Sequence, residues 1–197
     1  AKANLEVAYN NQPTPQNADH MFRLLSQLHG ADAAYRFITA HVERVPSDQF
    51  NLIRLANLQI GRDRAKAIES FRAAVTLNDN NVIAHNNLAY LLMEREELDA
   101  ALAHAERAQT LLPTDINVLD TLGLIQLKRG KQEEALKHFK MAVESMGDKI
   151  NDVIYVNYIE ALLVNEQTAL AKRKLEQHKV SNAQASEKLE ALKAKYF

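Results

Sequence analysis

Small and aromatic residues recur along this chain at a spacing of 34 residues, within stretches whose apolar positions follow the period of an amphipathic helix. Three columns show the spacing: Ala33, Ala67, Ala101 and Ala135; Phe37, Phe71, Ala105 and Phe139; and Ala40, Ala74, Ala108 and Ala142. A period of this length is typical of one supersecondary unit stacked on copies of itself. The pattern therefore predicts an all-α array of helix-turn-helix repeats with essentially no β-sheet.

Breaks in the helical pattern divide the chain into units. Pro113 cannot continue a helix and closes one unit, while Gly130 lies where a turn between helices needs a residue free to adopt positive φ. We predict the end of a preceding repeat helix at residues 1–13, five units at residues 14–46, 47–81, 82–115, 116–149 and 150–181, and a capping helix at residues 182–197. A cap is expected because an array must cover the apolar edge of its last unit.

The period slips at two places. Near Gly61 the first helix of its unit is shifted by one residue, and near Lys149 two residues are inserted. The insertion brings Ala171 into the alanine column in place of Ala169, because the strict register would put charged residues in the core.

The unit at residues 116–149 carries small and bulky residues at defined offsets: Leu119, Leu122 and Gly123, followed by Ala135, Phe139 and Ala142. This arrangement resembles the tetratricopeptide repeat. The resemblance implies a right-handed α-solenoid in which the first helix of each unit lines a concave surface. It also implies that a protein or peptide segment is the ligand of that surface.

The same resemblance implies which side chains face the ligand. They lie on the first helices of successive units: Ile53, Arg54 and Asn57; Ile83, Asn86, Asn87, Tyr90 and Met93; Asn117, Asp120, Thr121, Leu124 and Lys128; and Asn157 and Glu160. We call these the predicted groove residues. An alternative stays open, because adjacent repeats bury their facing surfaces and several of these side chains would then pack between units.

Two asparagines among the predicted groove residues bear on the ligand. Asn87 and Asn157 occupy the position at which some family members carry an asparagine that holds a peptide backbone or a terminal carboxylate. A carboxylate grip also needs basic residues on neighbouring first helices, whereas this chain has Asp120 and Thr121 there. Apolar groove residues such as Tyr90 favour an extended or helical segment with apolar side chains.

A second resemblance covers residues 82–179. The strings NNLAYLL and VLDTLGL look like the NNLAW and VLDTLGW helices of large bacterial tetratricopeptide lipoproteins of exosortase and PEP-CTERM sorting systems, with Tyr90 and Leu124 where tryptophan is expected. This resemblance implies a periplasm-facing lipoprotein scaffold of the bacterial envelope that acts in exopolysaccharide export or protein sorting.

The composition argues against several other classes. Twenty-four basic and 25 acidic residues give a formal charge of -1, with no block of Lys or Arg to neutralise a nucleic-acid backbone. No stretch approaches the ~18 consecutive apolar residues that a membrane span needs. The chain has no Cys, which removes disulfides and thiolate chemistry but leaves the compartment open. We expect neither a nucleic-acid partner nor a membrane span.

No group of residues predicts catalysis. The seven histidines lack a metal-ligand spacing, and no Gly-rich phosphate loop or nucleophile elbow occurs. The acidic cluster of Glu94, Glu96, Glu97 and Asp99 is interpreted as a charged turn that faces solvent. We therefore expect no enzyme activity, no metal and no cofactor.

These patterns favour a non-catalytic scaffold for protein-protein interaction. Two alternatives stay open, namely a structural spacer or self-associating array within a longer multidomain protein, and an accessory to a glycosyltransferase or polymerase. The chain begins with Ala, and Leu5 and Tyr9 look like part of another repeat helix, so a segment of a longer array is expected.

Overall fold

The computed structural model describes residues 2–197. Ala1, where the predicted 1–13 segment begins, lies outside the described residues. Within them the chain forms eleven α-helices and no strand: α1 Lys2–Asn11, α2 Pro15–Arg44, α3 Gln49–Ile60, α4 Arg64–Leu77, α5 Val82–Glu94, α6 Leu98–Leu111, α7 Ile116–Lys128, α8 Gln132–Ser145, α9 Asp152–Val164, α10 Thr168–Gln177 and α11 Ala183–Tyr196. The predicted all-α fold is confirmed. Across the same residues, no helix is both long enough and apolar enough to cross a membrane.

The long helix α2 contains a break. Gly30 adopts φ 81° and ψ 178°, which lies outside the helical region and separates residues 15–29 from residues 31–44. These two stretches form a first and a second helix, as α3 and α4 do. Thr14 begins the first stretch, because its hydroxyl accepts a hydrogen bond of 3.2 Å from the amide of Asn17.

The chain forms two compact units, Ala1–Ala84 and His85–Phe197, and their boundary falls within α5. In the N-terminal unit α1 packs on α2, α2 on α3 and α3 on α4. In the C-terminal unit α6, α7, α8 and α9 pack in succession, and α9 also contacts α10 and α11. Most of these contacts join helices that are neighbours in sequence, as the repeat pattern predicts, and the exceptions are the contacts of α9 with α7 and α11.

The second helices bury the predicted columns. Three units follow the prediction, with Ala67, Phe71 and Ala74 of α4, Ala101, Ala105 and Ala108 of α6, and Ala135, Phe139 and Ala142 of α8 all fully buried. In the first unit the predicted register is wrong by one residue. The buried residues there are Ala34, Ile38 and His41 in place of Ala33, Phe37 and Ala40.

Three turns share one geometry, namely those that join the first and second helices of the repeats at α5–α6, α7–α8 and α9–α10. Glu96, Gly130 and Glu166 each have positive φ, and each ends the first helix of its unit. The next amide then bonds back five residues, as Lys131 N does to Gln126 O at 2.8 Å. The predicted left-handed turn at Gly130 is confirmed.

The turn between α3 and α4 is shorter. Gly61 has φ -85°, and Asp63 N bonds back only four residues, to Gln59 O at 2.7 Å. Because this turn has no left-handed residue, its closing hydrogen bond spans one residue fewer, and α3 has 12 residues where α5 and α7 have 13. The predicted slip at Gly61 is confirmed, and the same slip displaces the column of the first unit.

The C-terminal end follows the inserted register. Ala171 is fully buried whereas Ala169 is exposed. Helix α11 then covers the last unit, and its Ala185, Leu189 and Leu192 join the apolar cluster around α9. The capping role predicted for residues 182–197 is consistent with this packing.

A buried polar chain fixes α1 in the N-terminal unit. The Tyr9 hydroxyl lies 2.9 Å from His41 Nδ1, and Asp48 Oδ2 lies 2.8 Å from His41 Nε2. A carboxylate only accepts, so His41 donates from Nε2 to Asp48 and its other ring nitrogen bonds the Tyr9 hydroxyl. Asp48 also caps α3 by accepting from the amide of Asn51 at 3.1 Å. This network explains how a histidine can occupy a buried column position.

Candidate interaction surface

Four predicted groove residues surround one cleft in the N-terminal unit, which we call the α3 cleft. Its volume is about 460 Å³. The lining comprises Gln49, Phe50, Ile53, Arg54 and Asn57 of α3, with Asn81 and Ile83 at the start of α5. Phe50 and Ile83 remain 56% and 59% exposed, so the cleft presents apolar side chains to solvent. Ile53 is buried, which corrects its predicted place on an open surface.

The lining of α3 follows from the helical period. Phe50, Ile53, Arg54 and Asn57 are spaced i, i+3, i+4 and i+7 and share one face of the helix. The other face carries residues such as Leu55, which are buried in the core. Sequence reasoning missed Phe50, although its spacing from Ile53 and Arg54 could have identified it.

Arg54 is held within the N-terminal unit. Its guanidinium carbon lies 4.6 Å from the centre of the Phe22 ring and 4.8 Å from that of Phe50. It also donates to Asn51 Oδ1 at 2.9 Å and forms an ion pair with Asp19. The predicted groove arginine is therefore engaged with its own unit.

A second cavity, which we call the α2 cleft, lies on Phe50. Its volume is about 380 Å³, and its lining comprises Pro15, Gln16, Asp19 and His20 of α2 together with Phe50. Both oxygens of the Asp19 carboxylate are paired, because Oδ2 accepts from Arg23 at 2.9 Å and Oδ1 from Arg54. Although burial opposes ionisation, these two arginines lower the pKa of Asp19 and keep it anionic.

The predicted groove residues of the C-terminal unit differ in exposure. Tyr90, Asn117 and Lys128 are exposed, and Asn86, Asn87, Asp120, Leu124 and Glu160 are half-buried. Met93, Thr121 and Asn157 are buried, with 4%, 4% and 3% of their surface exposed, which corrects their predicted place on an open surface. They pack instead, as the alternative interpretation of the sequence allowed.

A polar network accounts for the burial of Asn157. Its amide nitrogen donates to Asp120 Oδ1 at 2.7 Å, and its amide oxygen accepts from Lys188 of α11, also at 2.7 Å. Lys188 further pairs with Glu160 at 2.6 Å. The capping helix thus engages two predicted groove residues, Asn157 and Glu160, and Asp120 is linked to it through Asn157.

The network affects the ionisation of Asp120. Desolvation by burial is the largest influence and raises the pKa of Asp120 to about 6, against the opposing hydrogen bond from Asn157 and the charge of Lys188. Asp120 therefore titrates close to physiological pH.

Acidic side chains of the turn after α5 form ion pairs with basic side chains at the end of α7. Glu96 forms an ion pair with Lys128, and Asp99 lies 3.3 Å from Arg129. These groups stay largely solvated, in keeping with a charged turn that faces solvent. The exposed groove residue Lys128 has a partner within its own unit.

Two of the seven histidines contact each other. His85 Nδ1 and His104 Nδ1 lie 3.0 Å apart and join α5 to α6. In the part of the chain that the structure describes, no three His, Cys, Asp or Glu side chains come together in a geometry that would hold a metal ion.

Part of this chain matches a known protein family. Residues 58–116, from the end of α3 to the start of α7, match the tetratricopeptide repeat family. This stretch, less than a third of the chain, is thus similar to tetratricopeptide repeats. Gly123 and Phe139, which carry the resemblance to the tetratricopeptide repeat in the sequence, lie outside the matched range.

Known tetratricopeptide proteins resemble this chain in sequence and in fold. The small glutamine-rich tetratricopeptide repeat-containing protein 2 of Saccharomyces cerevisiae is 28% identical over 127 residues, which is 64% of this chain and only 37% of the yeast protein. Among solved structures, MamA has a TM-score of 0.69 at 20% identity, covering 89% of this chain and 98% of that one. YrrB, described as a tetratricopeptide protein with an unusual peptide-binding site, has a TM-score of 0.73 at 19% identity and covers 100% of both chains. These structural likenesses show the fold alone.

Proposed function

We propose that this chain is a non-catalytic protein-interaction scaffold that binds a peptide or protein segment on the first helices of its repeats. One observation carries the proposal, namely the convergence of Ile53, Arg54, Asn57 and Ile83 on one cleft beside the exposed Phe50. The peptide-binding site named for YrrB, which shares the fold, supports the same class of ligand.

The energetics favour a ligand at this cleft. Burying a large apolar side chain such as Phe50 or Ile83 contributes ~1.5–3 kcal/mol. Both side chains are more than half exposed in the free protein, so contact with a partner would add about half of this energy for each. In the C-terminal unit the proposed contacts are Asn87 and Tyr90, and Tyr90 is 41% exposed.

The proposal is tested with full-chain variants on a resin, using lysate of the source organism and quantitative mass spectrometry. Phe50→Ala with Ile83→Ala removes the apolar contacts of the α3 cleft, and Asn87→Ala with Tyr90→Ala removes those of the C-terminal unit. Leu77→Ala is the matched control, because Leu77 is an exposed apolar residue outside both clefts.

A partner retained by wild type and Leu77→Ala, but lost from either double variant at unchanged helicity, supports the scaffold. Equal recovery of the same proteins on all variants counts against it. Concentration-dependent dimers in sedimentation, with no other partner, would favour the self-associating array.

The proposed setting is the bacterial envelope, in exopolysaccharide export or protein sorting. It is motivated by the resemblance of residues 82–179 to exosortase-associated lipoproteins. Membrane fractionation of the source cells, followed by identification of the captured partner, tests it. A cytosolic partner would leave the scaffold role intact and remove the envelope role.

A further inference from the structure

Phe50 separates two cavities in the N-terminal unit. The α2 cleft lies against the first turns of α2, the α3 cleft lies against α3 and the start of α5, and Phe50 lines both. The aromatic ring contacts the Arg54 guanidinium, which restrains it, yet more than half of Phe50 is exposed. A restrained, exposed aromatic residue between two cavities has the form of an interface anchor.

The charges that line these cavities are neutralised within the unit. Arg54 contacts two aromatic rings and bonds Asn51 and Asp19. Asp19 accepts from Arg54 on one oxygen and from Arg23 on the other. A charged ligand group entering either cavity would lose its water without gaining an opposite charge, which is unfavourable.

Two amides of the α3 cleft are also engaged with helix ends. Gln49 donates to Ala74 O at 2.9 Å and to Asn78 O at 3.1 Å. Asn81 accepts from the amide of Ala84 at 2.9 Å and so caps α5. The exposed apolar surface that remains for a ligand is that of Phe50 and Ile83.

We propose that the occupant is a segment of a partner protein that places one uncharged apolar side chain in each cavity, on the two sides of Phe50. The inference rests on the proposed scaffold function and names its ligand class. Charge matching selects this occupant, because each charged group at the two cavities already has its counter-charge. Acidic side chains and a terminal carboxylate are disfavoured, since Arg54 would have to give up Asp19 to bind them.

A random dodecapeptide display library selected on the full chain tests the inference. Enriched peptides are resynthesised with amidated and with free C-termini, and their affinities are measured by calorimetry. We expect two apolar residues at a constant spacing, and equal affinity of the amidated and free forms. Phe50→Ala is expected to weaken binding about tenfold or more, whereas Leu77→Ala leaves it within about twofold.

A second variant separates binding from folding. Ile83→Ser changes a side chain that is 59% exposed, so it reports on the α3 cleft without disturbing the core. It is expected to weaken the same peptides by at least about fivefold, the scale of one lost apolar contact. Thermal denaturation of each variant verifies its fold.

Three results would overturn the inference. Peptides that lose binding on amidation would show a carboxylate site at Arg54. Peptides that bind Phe50→Ala and Ile83→Ser as tightly as wild type, but are lost from Asn87→Ala with Tyr90→Ala, would refute this ligand class and leave the scaffold function standing. A library that yields no binder would overturn both proposals.

Discussion

Gly123 of α7 lies so close to Phe139 of α8 that a Cβ atom at Gly123 would come within 2.6 Å of the aromatic ring. Phe139 is fully buried, so its ring cannot move without displacing its neighbours. Gly123→Ala is therefore expected to lower the free energy of unfolding by about 1–3 kcal/mol, the usual effect of overpacking a core. Urea denaturation followed by circular dichroism measures the change.

Gly61→Ala provides the control for that measurement. No atom lies within 4 Å of a Cβ placed at Gly61, and its φ of -85° suits any residue. The variant is expected to be neutral or more stable by up to ~1 kcal/mol. Equal destabilisation by the two alanines would show that proximity to Phe139 is not the cause.

Opposite effects are expected at two equivalent turn positions. Gly130 has φ 73° and Glu166 has φ 61°, so both adopt the left-handed conformation that favours glycine. Gly130→Ala is expected to destabilise the protein by ~1 kcal/mol, and Glu166→Gly to stabilise it by up to about the same amount. Chemical denaturation compares the two, and a loss of stability in both would contradict the turn argument.

The ionisation of Asp120 makes stability depend on pH. Because burial raises its pKa to about 6 from an ordinary 3.8, the folded state keeps a proton that the unfolded state has lost between these values. The contribution of Asp120 to stability therefore falls as pH rises from about 4 to 6, by at most ~3 kcal/mol.

Asp120→Asn isolates this contribution. The asparagine oxygen can still accept from Asn157, while Lys188 keeps its contact with Glu160. The variant is expected to gain stability relative to wild type at pH 7 and not at pH 4. Thermal denaturation at the two pH values measures the difference, and a parallel pH dependence in both proteins would refute the assignment.

Asp152 holds the segment that leads into α11. It accepts from His178 at 2.6 Å and from the amides of Ser181 and Asn182, each at 2.7 Å. Asp152→Ala is expected to speed amide exchange across residues 178–196 and to cost ~2–3 kcal/mol, because hydrogen bonds to a charged acceptor are lost. Hydrogen-deuterium exchange measures this effect, with Asp148→Ala at an exposed site as the control.

The same site has its own pH dependence. The hydrogen bond from His178, followed by those from Asn182 and Ser181, holds the pKa of Asp152 well below its ordinary 3.8. The stabilisation is therefore present above about pH 4 and lost as pH falls below it. The protection factors of residues 178–196, which correct for the intrinsic pH dependence of amide exchange, should fall on acidification in wild type and stay constant in Asp152→Ala.

Periodicity was sufficient to predict much of the fold. Fully buried alanines must recur wherever two helices approach closely, so Ala67, Ala101 and Ala135 could be recognised from their spacing. In the first repeat the sequence predicts buried positions one residue too early, because the length of the Gly61 turn depends on its backbone geometry. The amino-acid sequence alone does not show whether a turn contains a residue with left-handed backbone conformation.

The candidate site was harder to predict for a related reason. Spacing places Asn157 on the first helix of its unit, but it does not show that Lys188 from a different helix reaches it. Nor does it show that Arg54 is already paired with Asp19. Contacts between side chains far apart in sequence depend on how the helices pack. The position of Phe50, by contrast, follows from its spacing from Ile53 and Arg54 on one face of α3.

The short turn at Gly61 has an evolutionary consequence. Dropping the left-handed residue removes one position from the chain, yet the alanines and Phe71 that follow remain fully buried. A single-residue deletion, which would shift the register within a strand or a helix, can therefore be absorbed at such a junction. The repeat at this junction is one residue shorter than the next, and the helices on both sides of it keep their buried faces.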